Sequence, residues 1–236
     1  MDAPSSSLPQ LSVVIPVYNE SGNLEPLVRE IERTLSGRAR FEVIVVDDGS
    51  SDNTVTEAAG LAADRNWLRI EQHRRNRGQS AAIRTGVASS GAPIVAVLDG
   101  DGQNDPADIP ALFAALLLSG ARMVVGERRE RHDSWLRRIS SRIANATRGR
   151  LLHDGIRDTG CGLKVFYRAD YLELPAFDHM HRFLPALMQQ RGHKVLSIPV
   201  HHRPRRHGRS KYGIRNRLWP GIVDLFGVMW LERRRL

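Results

Sequence analysis

Short apolar, β-branched runs recur through the first half of the chain at Leu11–Ile15, Phe41–Val46, Trp67–Ile70, Ile94–Leu98 and Met123–Val125. Between them lie stretches with helical spacing, of which Leu24, Leu27, Val28, Ile31 and Leu35 mark one face. Continuous apolar strands separated by helices of about 10–15 residues predict βαβ units around a mostly parallel sheet buried on both faces. After Gly126 the rhythm breaks. Trp135–Leu152 reads as an Arg-rich helix, Gly162–Tyr167 as a strand, His181–Arg191 as a helix and Val195–Val200 as a last strand. His201–Gly213 reads as a basic loop and Ile214–Leu231 as a final helix. No repeat, low-complexity segment or linker divides the 236 residues, which is a length that one large domain can organise. The expected organisation is a short flexible N-terminus over 1–10, one α/β domain over 11–213 and an amphipathic helix over 214–236.

Composition narrows the function classes. With 41% apolar and 26% charged residues the chain is neither disordered nor membrane-embedded by composition. A single cysteine excludes an internal disulfide. Met1–Gln10 lacks the basic and apolar regions of a signal peptide. The apolar stretch Leu218–Leu231, interrupted by Asp224, reaches only about 21 Å as a helix, short of a hydrocarbon core of roughly 30 Å. The net charge of +9 is unevenly placed. Residues 1–121 carry ten Arg and no Lys against sixteen acids, a balance of −6, and residues 122–236 carry 25 Lys and Arg against ten acids, a balance of +15. The second half is expected to meet something anionic, such as phosphates or a membrane surface.

In an open α/β sheet, ligands bind at the carboxyl ends of the strands. Three polar clusters follow strand ends here: Pro16-Val17-Tyr18-Asn19-Glu20, Asp47-Asp48-Gly49-Ser50, and Asp99-Gly100-Asp101-Gly102-Gln103-Asn104-Asp105-Pro106. In the third, Asp99 and Asp101 with the amide oxygen of Gln103 can offer hard ligands to Mg²⁺ or Mn²⁺, ions that complete their shells with water and substrate phosphates. The competing reading is an acidic turn capping the helix that begins near Pro106, a role that suits Asp105. In the second cluster, Ser51 or Asp52 is the expected helix cap, which leaves Asp47 and Asp48 for a ribose or a base edge. Tyr18 and Glu20 read equally well as turn residues and as ligands.

These clusters occur in VVIPVYNE (13–20), VIVVDDGSSDNT (43–54), NRGQSAAIRTG (76–86), VAVLDGDGQNDP (95–106), the Gly126–Arg128 segment and RRHGRSKYG (205–213). As a set they resemble family 2 glycosyltransferases with a GT-A (Rossmann-like) nucleotide-sugar-binding domain. The resemblance is to the dolichol-phosphate mannose synthase group and its bacterial polyprenyl-phosphate relatives. It implies that Pro16, Tyr18, Glu20, Asp47 and Asp48 contact the nucleotide and that Asp99 and Gly100 lie near ribose or donor sugar. It further implies that Asp101 and Gln103 hold a divalent metal on the donor diphosphate. Arg128, Arg205 and Lys211 would bind phosphates. Gly102 departs from the group, which usually has an apolar residue there, and is expected to loosen the loop.

The implied reaction is inverting transfer of a hexose from a nucleotide sugar to a polyprenyl phosphate at the cytoplasmic membrane face. GDP-mannose is the first-choice donor by resemblance, with UDP-glucose or UDP-N-acetylglucosamine as alternatives. A divalent ion and Arg or Lys stabilise the departing diphosphate, and the acceptor oxygen is already anionic, so no strong general base is needed. Phe177-Asp178-His179-Met180-His181-Arg182 lacks the Glu-Asp pair of relatives that glycosylate hydroxyls, although Asp178 is a conceivable base. Trp135–Leu152 and the last helix are basic and amphipathic, which suits a membrane interface, the sheet, a membrane-protein partner or a second copy of the chain. His201, His202 and His207 lack metal-ligand spacing, and Cys161 reads as a turn residue. A nucleic-acid-binding protein is the rival that the basic charge suggests. It is set aside because the chain lacks clustered stacking aromatics and because that reading leaves Asp99 and Asp101 unexplained.

Overall fold

The computed structural model describes residues 9–128, 155–156, 158–205, 223–230 and 234. The apolar runs form β1 (Leu11–Val17), β2 (Phe41–Asp47), β3 (Leu68–Gln72), β4 (Ile94–Val97), β5 (Met123–Arg128), β6 (Lys164–Tyr167) and β7 (Val195–Val200). They make a seven-stranded sheet in the order β3-β2-β1-β4-β6-β5-β7. Pairs β1–β2, β1–β4, β2–β3 and β5–β7 are parallel, and β6 alone runs against its neighbours β4 and β5. The mostly parallel sheet expected from the sequence is present, and the break in rhythm after Gly126 coincides with the reversed strand. The fold is an α/β GT-A type.

Helices α1 (Leu24–Leu35), α2 (Thr54–Ala63), α3 (Gln79–Ser89) and α4 (Ile109–Ser119) alternate with the first strands. Helices α5 (Arg168–Leu172) and α6 (Leu184–Gln190) follow β6, and α7 spans 223–230. The single helix expected over His181–Arg191 is instead a 3₁₀ turn, Met180–Arg182, followed by α6. Pro185 sits in the first turn of α6, where its missing N–H has no helical partner to lose, so the helix starts afresh there. The helix expected over Trp135–Leu152, residues 1–8 and the stretch 206–222 with Lys211 lie outside the described residues. So do His207 and the start of the final helix.

Strand alternation divides the interior in two. Leu11, Val13, Ile15, Val17, Val43, Val45, Ala96 and Leu98 face one core with buried side chains of α1, α2 and α4. Val14, Ile44, Val46, Val95 and Val97 face the other, under α3, α5 and α6 and Val228 of α7. Leu24, Leu27, Val28, Ile31 and Leu35 are all buried, as their spacing predicts. At about 1.5–3 kcal/mol for each fully buried aliphatic side chain, packing holds α1 on the sheet more firmly than helix propensity does.

The topology brings one set of loops together. Parallel β1, β2 and β4 end on the same edge, and so do β5 and β7, where Arg128 is the register partner of Val200. Because β6 is reversed, its first residue arrives there too, with Lys164 paired to Val97 at the end of β4. Pro16 lies past Val14, the last β1 residue paired with β4, so its missing N–H costs no ladder bond on that side.

Candidate functional site

The loops after β1 and β2 are joined by side chains bonding to backbone. Asn19, at φ 51, donates its N–H to Ser50 Oγ at 2.8 Å, and its Oδ1 accepts the Ser51 N–H at 2.7 Å. The Glu20 N–H donates to Thr54 Oγ1 at 2.9 Å, and Asp52 accepts the Thr54 N–H at 3.0 Å at the start of α2. Asp52 thus supports the helix start from the residue before the cap position, which is Asn53 rather than the Ser51 or Asp52 expected. The Glu20 carboxylate is buried and accepts from Asn23 Nδ2 at 2.9 Å, while the Tyr18 ring is exposed at the rim.

Asp47 and Asp48 organise backbone. Asp47 is fully buried and accepts the N–H groups of Gly49 and Ser50, closing the turn after β2. Asp48 Oδ1 accepts from His73 Nδ1 at 2.7 Å and from the Arg77 N–H at 2.9 Å, and its Oδ2 accepts from the Gly78 N–H at 2.8 Å. Gly49 is required where this loop crosses, since a Cβ there would lie 2.6 Å from the carbonyl carbon of Arg75. The ligand role expected of this pair comes with a structural one: Asp48 fixes the loop after β3.

The Asp99–Asp105 loop is the most constrained part of the site. Asp99 Oδ1 accepts from Gln79 Nε2 at 2.7 Å, and the Asp99 N–H donates to Asn104 Oδ1 at 3.2 Å. A Cβ on Gly162 would fall 2.2 Å from Asp99 Oδ2, so only glycine leaves room for the carboxylate. Gly100 fits as tightly on β1, with a Cβ there 2.5 Å from Val17 Cγ1 and 3.2 Å from the Pro16 carbonyl oxygen. Gly102 has φ +72, so the residue that departs from the family pattern supplies a left-handed turn rather than slack. Asp105 accepts the Ala107 N–H at 2.9 Å and caps the short helix at Pro106, as its position predicted.

Burial and the neighbouring Asp101 carboxylate push Asp99 up to about 6, against the opposing pull of Lys164, Arg128 and the Gln79 hydrogen bond. Lys164 is buried, donates to the Cys161 carbonyl, and is held below the usual lysine range by that burial. Cys161 lies in the core beyond a turn, with its thiol pushed up by burial, so it has no nucleophile's environment. The Arg128 guanidinium forms a two-pronged bond with Asp158, Nε–Oδ2 at 2.7 Å and Nη2–Oδ1 at 2.8 Å. Its expected phosphate role therefore involves a guanidinium already paired.

The basic segment after β7 closes against the acidic loop. The Arg203 N–H donates to the Gln103 carbonyl at 2.9 Å, and Gln103 Nε2 donates back to the Arg203 carbonyl at 3.3 Å. Arg203 reaches Glu30 of α1 at 2.6 Å and Asp105 at 2.5 Å. Arg205 donates to Asp101 Oδ2 at 2.8 Å and stands 3.6 Å from Glu20 Oε1. One guanidinium thus spans the ends of β1 and β4, two of the clusters expected to converge. His201 bonds Asp108 at 2.9 Å, a structural pairing.

A divalent cation fits this chemistry. Asp101 is buried beside the raised Asp99 carboxylate and already attracts a cationic group, Arg205. Among the described residues no group of three or more His, Cys, Asp or Glu side chains could hold a metal. Asp101 and Gln103 would hold the ion together with donor phosphates, the manner in which Mg²⁺ is commonly bound. Gln103 is bound to Arg203 through its amide nitrogen, leaving the amide oxygen as the donor atom a metal would use. Five residues of the site, Gln79, His73, Asn104, Asp158 and Lys164, were not expected to have a role there. Gln79 and Asn104 carry a signal in the sequence, since both lie within the motifs that bear the family resemblance.

The family model described as Glycosyl transferase family 2 matches residues 12–174. A dodecaprenyl-phosphate galacturonate synthase of Rhizobium johnstonii is 38% identical over 234 residues, which cover 95% of this chain and 68% of that protein. An undecaprenyl-phosphate 4-deoxy-4-formamido-L-arabinose transferase of Edwardsiella ictaluri is 39% identical over 210 residues, covering 86% of this chain and 63% of that one. The chain thus spans about two thirds of the length of these relatives. The fold is shared with glucosyl-3-phosphoglycerate synthase of Mycobacterium tuberculosis, solved with Mn²⁺, uridine-diphosphate-glucose and phosphoglyceric acid. That match has a TM-score of 0.73 at 18% identity and covers 93% of this chain and 80% of the other. With a family model across most of its length and relatives this similar, the chain belongs to glycosyltransferase family 2, in the polyprenyl-phosphate glycosyltransferase group.

Proposed function

We propose that the protein transfers a sugar from a nucleoside diphosphate to a polyprenyl phosphate, assisted by Mg²⁺ or Mn²⁺. The carrying observation is the Asp101–Arg205–Glu20 bridge, which sets a buried acidic loop and a basic segment against each other at the carboxyl edge of the sheet. An acidic loop suits a metal-bound diphosphate, and the basic segment suits phosphate oxygens, the two charges that sugar transfer brings together. The metal, held by Asp101 and Gln103 beside Asp99, would supply charge neutralisation at the departing diphosphate. Glu20 and the Asp47–Asp48 turn shape the floor, and Arg205 with Lys211 would meet phosphates. Asp178 stands at the mouth, its Oδ1 3.3 Å from where a Cβ on Gly78 would be. An anionic acceptor oxygen needs no proton removed, so this carboxylate is not required as a base.

The donor sugar is open to a choice that relatives inform. The two relatives described above are named for galacturonate and formamido-arabinose, sugars other than the mannose that the motifs first suggested. A uronic acid or a 4-amido pentose therefore ranks ahead of mannose, and ahead of glucose or N-acetylglucosamine. Support for a membrane setting comes from α7, where Val228 is buried while Val223, Phe226 and Trp230 are exposed. Among the described residues no helix is long and apolar enough to cross a membrane. The test is a panel of UDP-galacturonate, UDP-glucose, UDP-N-acetylglucosamine and GDP-mannose with undecaprenyl phosphate, with and without Mn²⁺. Product formed only with lipid phosphate and metal is the expected result. Transfer to a hydroxyl acceptor, or no transfer from any sugar nucleotide, would sink the reading.

A further inference from the structure

We propose that Gln79 is a positioning residue for Asp99, held in place by a clamp that Asp48 and His73 form around the start of α3. The proposal rests on Asp99 facing the donor. The Asp99 carboxylate has Gly162 behind Oδ2 and Gln79 Nε2 on Oδ1 at 2.7 Å, and Asp101 follows two residues on in the same loop. Two carboxylates so placed repel, and without a directional donor the side chain would rotate away from Asp101. A charge-assisted hydrogen bond from a neutral amide fixes the orientation without adding a competing cation.

A Gln side chain has three torsions whose freedom is lost on ordering, so it aims well only when its backbone is held. Here the backbone is held. Asp48 accepts the N–H groups of Arg77 and Gly78, the two residues before Gln79. His73 is buried and ties the same carboxylate to α3 itself, through Nδ1 to Asp48 at 2.7 Å and Nε2 to Thr85 Oγ1 at 2.9 Å. Gly78, at φ +88, makes the turn that starts the helix with its first side chain on Asp99. The ends of β2 and β4 are thereby coupled through α3.

The test compares wild type with Gln79→Ala, Gln79→Glu, Asp99→Ala and the double variant Gln79→Ala/Asp99→Ala. Alanine is a good helix former at this position, so Gln79→Ala should keep its thermal midpoint. Donor kcat/KM, with the best sugar nucleotide of the panel, is expected to fall roughly ten- to a hundredfold in Gln79→Ala. Glutamate, of the same shape, should be worse than alanine because it sets a third carboxylate on the pair. In the Asp99→Ala background the same Gln79→Ala change should matter less than about threefold. The same proteins are also compared by calorimetric binding of UDP and GDP with Mn²⁺, a readout independent of acceptor and turnover. Equal losses with and without Asp99, or wild-type behaviour of Gln79→Glu, would overturn the proposal alone. Failure of the wild type to bind either nucleotide with Mn²⁺ would overturn the donor-site reading and the proposal with it.

Discussion

Asp101 and Arg205 carry opposite charges 2.8 Å apart, and each bears on a different part of the reaction. Asp101→Ala removes the buried carboxylate that a metal would use and leaves Arg205 with Glu20 as a neighbour. Its kcat/KM should fall by about a thousandfold or more and lose dependence on Mn²⁺, since metal stabilisation of a departing diphosphate is worth several kcal/mol. Circular dichroism should be unchanged, because the loop is still held by Asn104, Asp105 and Arg203. Full activity in Asp101→Ala would remove this loop from the chemistry. Arg205→Ala should raise donor KM about tenfold or more, as loss of a charge-assisted phosphate contact does. Unchanged kinetics there would mean the basic segment only packs. At this scale the paired Asp99 and Asp101 were legible, because carboxylates spaced by glycine directly after a buried strand have few structural uses. Gln79 and Lys164 were not legible, because neither spacing nor composition says which helix start or which reversed strand will arrive beside Asp99.

The element that decides most about the site is α3. It lies flat on β1 and β2 because Gly86 has no side chain: a Cβ there would stand 2.4 Å from Val14 Cγ1 and 3.0 Å from Val46 Cγ2. Helix propensity alone favours alanine over glycine by about 1 kcal/mol. Overpacking against two stiff valines costs about 1–3 kcal/mol and should win. Gly86→Ala is therefore expected to lower the thermal midpoint by several degrees and to cut donor kcat/KM as well, since lifting α3 moves Gln79. Calorimetric unfolding and steady-state kinetics on one preparation would show both effects, and a more stable, fully active Gly86→Ala protein would refute the packing argument. The periodicities that placed β1 to β5 and α1 in the sequence worked because both sheet faces are buried and each helix has one apolar face. The stretch around Pro185 reads as one helix because its apolar spacing runs on through a break in the backbone.

Across the whole molecule, the charge split sets a balance of −6 over residues 1–121 against +15 over the remainder. Charges in water act over about 8–10 Å at physiological salt, so attraction to anionic lipid is salt-dependent. Co-sedimentation with vesicles containing anionic lipid should be strong at low salt and fall several-fold towards 0.5 M NaCl, about where screening shortens to a few ångströms. Phe226→Asp or Trp230→Asp, on the exposed face of α7, should weaken it further. Salt-independent binding, or none to anionic vesicles, would assign the basic half to substrate phosphates alone.

Residue order alone is enough for the alternation of strands and helices, the polar loops after β1, β2 and β4, and the acidic and basic halves. Each of these follows from local periodicity or residue chemistry that any fold must respect. Long-range packing makes β6 run backwards and so brings Lys164 to the site edge. It also lets Asp48 clamp the start of α3 and Arg205 bridge Asp101 and Glu20. Those contacts join residues from 25 to more than 100 positions apart in the chain. Local propensity carries no information about them, because their partners are chosen by sheet order and close packing.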